Sequence, residues 1–444
     1  MIDREPIIRV GITEHEPEVW GMFQGQFELP STVRLTGPFQ VRNENDRVVL
    51  YDDEGIEEIR GPEILCRAIS RGPFTLRDVT IGIRFHWERR EDQTFEGDVR
   101  FLAGENGTVV AINEIGLERY LKSVISSEMS PAAPSEFLKA HAITSRSWLA
   151  AMLERRSVGP GSGAPACRSR ETESEIIRWY DREDHSRFDV CADDHCQRYQ
   201  GITKILLEAA GAAVEATRGV FLTYGDSVCD ARYFKACGGL TENFDNVWED
   251  TPIPYLTSVS DSTAEYPRIA SEADARAWIM SLPEAYCNPS DAGVLRQILP
   301  SLDQETTDFF RWKMEYKREE LEEILRVKSG IDFGVLTDLI PVQRGASGRI
   351  VRLKVVGSKK TLVVGKELEI RRWLSKSHLY SSAFVVETVR DTKGIPLHFT
   401  FFGAGWGHGV GLCQIGAAMM AEKGKNAEEI VAHYFRGATL KKLY

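Results

Sequence analysis

The stretch VRFLAGENGTVVAINEIGLERYLKSVISSEM, Val99–Met129, changes its hydrophobic period halfway along, and that change sets the fold class. Val99–Ile115 reads as two strands around Asn106-Gly107, a dipeptide suited to the positive φ angles of a tight hairpin. From Leu117 the period lengthens, and Leu117, Leu121, Val124 and Ile125 fall on one helical face. Pro131 and Pro134 break the pattern, and a second helix is predicted from Ser135 to about Glu154. Strands thus run directly into helices.

Working outward, the N-terminal part is β-rich: IIRVGI (Ile7–Ile12), FQVRN (Phe39–Asn43) and RVVLYDD (Arg47–Asp53) are short β-branched runs between polar turns. After the second predicted helix comes VGPGSGAP (Val158–Pro165), a Gly/Pro-rich loop. Ile202–Gly219 reads as helical, and VFLTYGD and ARYFKA as a pair of strands. Ser262 to about Lys328 is expected to be mostly helical, ending in WKMEYKREELEEILRVKSG. Its charges at i, i+4 suit a solvated helix face. Ile350–Gly365 is another hairpin, Phe384–Asp391 and His398–Gly405 are strands, and the chain closes on helix-like sequence. The predicted class is α+β, without internal repeats. The expected divisions are a β-rich part over 1–115, a mixed segment over 116–261, a helical insertion over 262–330 and a closing segment over 331–444.

Composition excludes several functions. The 444 residues are 42% hydrophobic and 27% charged, ordinary for a globular protein. A net charge of −11 argues against nucleic acid as a partner. No window approaches the roughly 18 consecutive apolar residues of a membrane span. The start, MIDREPIIRVGI, has no charged-then-apolar leader, so no secretory signal is expected in it. Eight cysteines are too few for a disulfide scaffold at this length; Cys66, Cys167, Cys229, Cys237, Cys287 and Cys413 are scattered.

The other two belong to HSRFDVCADDHC, which gathers His185, Cys191, His195 and Cys196 within twelve residues. Two thiolates and two imidazoles suit tetrahedral Zn²⁺, and four protein ligands leave no open position, so the site reads as structural. The H-x5-C-x3-H-C spacing is not that of a zinc finger. Glu128 stands at a helix–loop junction between Ile125 and Met129, where desolvation would raise a carboxyl pKa and suit it to give and then take a proton; a surface glutamate is the plain alternative. A third stretch, GAGWGHGVGLCQIGA (Gly403–Ala417), has glycine at every second position from 403 to 411. It lacks the lysine and spacing of a phosphate loop and the context of a dinucleotide fingerprint. A Cys413–His408 nucleophile pair is an open alternative.

Together these segments resemble the SpoIID/LytB family of bacterial cell-wall proteins. INEIGLERYLKSVISSEM (Ile112–Met129), KAHAITSRSWLA (Lys139–Ala150), CGGLTENFDNVW (Cys237–Trp248), SSAFVV (Ser381–Val386) and GWGHGVGLCQIGAAMMA (Gly405–Ala421) follow the order of that family's motifs. The resemblance implies a lytic transglycosylase that cleaves peptidoglycan glycan strands between N-acetylmuramic acid and N-acetylglucosamine, with Glu128 as acid/base. It implies a substrate groove in which His408, Gln414, Arg146 and Tyr434 contact the glycan, and structural zinc at the His185–Cys196 cluster. A cell-wall amidase is a possible partner, and work on the wall side of the membrane is expected. The alternative it carries is a non-catalytic, glycan-binding or amidase-activating protein. Cys413 departs from the family's usual serine, and His141 from its usual glutamine.

Overall fold

Period-two patterning in the N-terminal part builds one large sheet. A computed structural model describes residues 2–69, 72–83, 88–157, 169–179, 185–205, 207–289, 292–299 and 308–444. The loop Val158–Pro165 and Cys167 lie outside the described residues. The fold is α+β, as expected, and divides into two units whose segments interleave along the chain.

Unit 1 comprises Met1–Ala132, Asp184–Val220 and Lys442–Tyr444. Its eleven-stranded sheet runs in the order Val190–Cys191, Ile7–Glu16, Val109–Gly116, Asp98–Ala103, Glu63–Ala68, Glu18–Glu28, Arg34–Glu44, Arg47–Tyr51, Glu57–Gly61. Phe74–Ile81 and Arg89–Phe95 branch from the strand Glu18–Glu28. The inward positions carry Phe23, Phe27, Phe39, Phe74, Phe95 and Phe101, all buried, with Phe23 and Phe39 stacked at 4.2 Å. The predicted hairpin is present, with Val109 paired to Ala103 and Asn106 and Gly107 at φ 54° and 79°. Helix α1 (Leu117–Glu128) follows without a break. No side chain of its own caps it; instead the Glu5 carboxylate accepts the Glu118 N–H at 3.1 Å, satisfying an orphan donor at the positive end of the helix dipole.

Unit 2 comprises Ala133–Glu183 and Phe221–Lys441. It opens with α2 (Ser135–Ser157). The remaining helices are α3 (Glu208–Ala216), which packs on α1 in unit 1, then α4 (Glu272–Ile279), α5 (Ala292–Ile298), α6 (Arg318–Ser329), α7 (Glu367–Trp373), α8 (Gln414–Glu422) and α9 (Ala427–Tyr434) in unit 2. One sheet orders Ser169–Glu171, Glu175–Arg178, Thr361–Gly365, Ile350–Gly357 and Leu336–Arg344. Another orders Arg311–Lys317, Pro396–Ala404 and Phe384–Arg390. They share a core with α6 and α7 that includes Trp312, Leu325, Leu353, Trp373 and Phe401.

Two sequence expectations need correction here. Arg311–Lys317 is a strand, paired antiparallel from Ala404 to His398, rather than the start of a helix. The reason is visible in WKMEYK: its apolar residues alternate, and Trp312 and Tyr316 are buried. ARYFKA does not pair with VFLTYGD; Tyr233–Phe234 pairs in parallel with Leu412–Cys413, while Val220–Tyr224 hairpins onto Ser227–Val228. Tertiary pairing won over nearness in sequence.

Candidate functional site

In unit 1 the last residue of α1 is Glu128, 9% exposed, flanked by the fully buried Ile125 and Met129. Its Oε1 accepts the backbone N–H of Arg198 at 3.0 Å. The Arg198 guanidinium donates to the Ser127 carbonyl at 3.4 Å and pairs with Asp194 at 2.8 Å. Neighbouring residues repeat the attachment. Tyr120 Oη donates to Gln197 at 3.2 Å, Gln200 N–H donates to Ser123 Oγ at 3.1 Å, and the Tyr120 and Tyr199 rings stack at 5.1 Å. Tyr199 Oη reaches the buried Asn113 at 2.5 Å, tying the same segment to the sheet. Gln197–Gln200 therefore runs along α1 as a clamp on the helix that ends in Glu128. Sequence reasoning missed this clamp; the one available signal is a polar run, QRYQ, directly after Cys196.

The clamp begins where the Cys/His cluster ends. Cys191 lies on the strand Val190–Cys191, which pairs in parallel with Val10 and Gly11, and Phe188 packs where any Cβ on Gly11 would sit. The structure brings His185, Cys191, His195 and Cys196 together, with every ligand atom within 4.8 Å of the others. His185 Nε2 lies 3.3 Å from Cys196 Sγ, and His195 Nδ1 lies 3.4 Å from Cys196 Sγ and 3.8 Å from Cys191 Sγ. The Cys196 thiol beside it, together with the two imidazoles, holds the Cys191 thiol far below the ordinary thiol range despite burial. Asp193 points away, accepting the N–H groups of Gly82 and Ile83 at 3.1 and 2.9 Å. Donor set and spacing fit a closed tetrahedral metal.

In unit 2 the glycine-rich stretch runs beside Arg232–Cys237. Gly409 and Gly411, at φ 88° and 85°, pass so close to the Arg349 guanidinium and the Arg232 carbonyl that no Cβ fits. His408 is half-buried between Phe234 and Trp248. Its Nδ1 accepts the Val410 N–H at 3.1 Å, which leaves Nε2 to donate to the Tyr233 carbonyl at 3.0 Å. Burial and then Arg232, Arg371 and Arg349 push its pKa well below the usual imidazole value. With both nitrogens engaged by backbone, His408 offers no base to the Cys413 thiol. Arg146, Gln414 and Tyr434, expected at the glycan, are at most 2% exposed. Gln414 Nε2 sits 3.3 Å from His141 Nε2, Arg146 reaches the Ala142 carbonyl, and Tyr434 Oη donates to Asp261 at 2.6 Å. Glu242, another buried glutamate of a quoted motif, accepts from Asn243, Asn246, Ala346 and both the N–H and hydroxyl of Ser347. Its carboxylate is saturated.

Fold and site define an α+β protein with a nearly buried carboxylate at a helix end, braced by a segment that starts from a Cys₂His₂ cluster. Residues 105–224 match the stage II sporulation protein family, which supports the resemblance to the SpoIID/LytB family. Residues 242–411 match a family described as a domain of unknown function. The chain is similar to stage II sporulation protein D of Bacillus amyloliquefaciens, 25% identical over 74% of this chain and 75% of that one. It is similar to an uncharacterized protein of Brachyspira hyodysenteriae, 25% identical over 93% of this chain and 90% of that one. The amidase enhancer of Bacillus subtilis is 25% identical over 51% of this chain and 32% of its own length.

Proposed function

We propose that this protein is a lytic transglycosylase of peptidoglycan glycan strands, working in the cell envelope with Glu128 as both acid and base. The observation that carries the reading is the Glu128 carboxyl itself: nearly buried, at a helix end, and aimed by one backbone N–H. Protonated Glu128 gives its proton to the glycosidic oxygen between N-acetylmuramic acid and N-acetylglucosamine as the C1–O bond breaks. As carboxylate it takes the proton of the muramic 6-hydroxyl while that oxygen bonds to C1. The product is a 1,6-anhydromuramic end, and Glu128 is again protonated. Hydrolysis needs a second carboxylate to manage water; an internal hydroxyl nucleophile does not, and saturated Glu242 is consistent with a single working acid.

His185, Cys191, His195 and Cys196 would hold zinc, which when bound supplies a closed cross-link that fixes the start of Gln197–Gln200. The Arg198 N–H and the Tyr120–Tyr199 stack then keep Glu128 in place. Of the residues expected at the glycan we assign the half-exposed His408 ring to sugar contact, and Gln414, Arg146 and Tyr434 to support of the glycine-rich stretch from within.

The test is digestion of purified, peptide-free glycan strands, with anhydromuramyl ends read by mass spectrometry. Wild type yields them, and Glu128→Gln reduces the rate by roughly 10²–10⁴-fold, the range for a general acid/base. Equal cleavage by Glu128→Gln overturns the mechanism. The similarity to an amidase enhancer favours a second reading, a glycan-binding or amidase-activating protein; retained glycan binding with no anhydromuramyl ends in wild type selects it.

A further inference from the structure

A second cluster of ligand atoms lies in unit 2, far along the chain from the first. Cys237, Asp261, Cys287 and Cys413 place their sulfur and carboxylate atoms within 4.8 Å of one another, all four side chains being at most 2% exposed. Four separate segments deliver them. Cys237 follows the short strand Tyr233–Phe234, and Cys413 ends the strand paired with it and caps α8. Asp261 and Cys287 come from loops on either side of α4.

Polar donors point at two of the sulfurs and at the carboxylate, as they do not in a packed apolar core. Cys413 Sγ accepts the N–H groups of Cys237 at 3.3 Å and Gly416 at 3.4 Å, and Cys237 Sγ accepts that of Gly239 at 3.3 Å. Asp261 Oδ2 accepts the Cys287 N–H at 2.8 Å, and Oδ1 accepts the Tyr434 hydroxyl at 2.6 Å. Cys237, Cys413 and Asp261 are thus each oriented by an outer partner, as metal ligands usually are. Two guanidinium groups stand near the cluster, Arg311 acting on Cys287 and Cys237 and Arg349 on Cys237, but neither is hydrogen-bonded to a ligand atom. Arg311 points its guanidinium at the carbonyls of Ser281, Gly238, Phe310 and Trp278, and Arg349 points its own at those of Gly407 and Cys237 and at Ser347 Oγ. Among the described residues no cationic side chain is hydrogen-bonded to Asp261, and burial pushes its carboxyl toward the protonated form, so it either keeps a proton or shares a cation with the three thiols.

We propose that Cys237, Asp261, Cys287 and Cys413 form a second, structural metal site for zinc or another thiophilic divalent cation. In a tetrahedral site with Zn–S near ~2.3 Å, ligand sulfurs lie about 3.8 Å apart, and Cys237 and Cys287 Sγ stand 3.4 Å apart. The four protein ligands close the coordination sphere. The metal joins the turn after Cys237, the Asp261 and Cys287 loops and the N-terminus of α8, and so locks the end of the glycine-rich stretch. It is also the role of Cys413: a ligand and cap, with no nucleophilic part.

The experiment is a metal count on the full chain purified after expression with zinc, by mass spectrometry of the released metal. Two equivalents per chain are expected, with one retained in the Cys191→Ser/Cys196→Ser variant and one lost in Cys413→Ser. No metal in wild type, metal content that Cys413→Ser leaves unchanged, or loss of all metal in Cys191→Ser/Cys196→Ser overturns the site. A measurement that needs no variant tests the rival, a Cys237–Cys287 disulfide: alkylation in denaturant and chelator without reductant. All eight cysteines should be modified; two that resist until reductant is added would overturn the proposal.

Discussion

The two ligand clusters hold the same number of groups in the same span, yet they are built in opposite ways. The His185–Cys196 group comes from twelve consecutive residues, is only partly buried, mixes imidazole with thiolate, and leads directly into the segment that holds Glu128. The Cys237–Asp261–Cys287–Cys413 group comes from residues spread over most of unit 2, is fully buried, and is surrounded by backbone N–H donors. The first is placed to hold one loop against one helix; the second is placed to hold several loops to one another. Local clusters can therefore serve a site, and dispersed ones the fold.

That contrast breaks most readily at Asp261. Asp261→Ala strands the Tyr434 hydroxyl and the Cys287 N–H in the interior, at about 1–3 kcal/mol for each buried unpaired donor. Chemical denaturation should show unit 2 weakened by roughly 2–6 kcal/mol, while cleavage per folded molecule holds. Wild-type stability in this variant would remove the distinction. At the other cluster, Cys191→Ser removes a ligand and should lower metal content and cleavage together, with the unfolding of unit 2 unchanged. A loss of unit 2 stability there would show that both clusters serve the fold.

A smaller effect is expected in the stretch that Cys413 ends. Gly411→Ala needs a left-handed alanine and a Cβ against the Arg232 carbonyl, and should cost about 1–3 kcal/mol, read as a shifted denaturation midpoint. The last change concerns pH. Burial, then Lys235, depresses the His141 pKa to about 3, below the unfolded value near ~6.5. Its contribution to stability is complete above that unfolded value and is lost as pH falls toward the folded one, because only the unfolded chain binds the proton. The slope reaches at most about 1.4 kcal/mol per pH unit. His141→Gln should flatten it between pH ~6.5 and ~4, as followed by denaturant titration at several pH values.

What was legible and what was not follow the same division. The hairpin around Asn106-Gly107 and α1 were readable because a turn dipeptide and a period change act within a few residues. Arg311–Lys317 was misread because strongly helical sequence follows it in α6 and masks its alternation. The clamp on Glu128 left no periodic signal, since Gln197, Arg198 and Gln200 are polar yet buried by pairing with α1. Arg146, Gln414 and Tyr434 carry polar groups that chemistry alone would send to a ligand, whereas each has a partner in the interior.

By itself the sequence determined the α+β class, the start and end of α1, and the gathering of His185, Cys191, His195 and Cys196. Each depends on residues close enough along the chain for spacing to dictate geometry. Only tertiary structure decided that Arg198 holds Glu128, that both His408 nitrogens bond to backbone, and that Cys413 meets Cys237, Asp261 and Cys287. Apart from the local Val410–His408 bond, those contacts close loops of tens to hundreds of residues. Packing brings such partners together, and no local pattern encodes that.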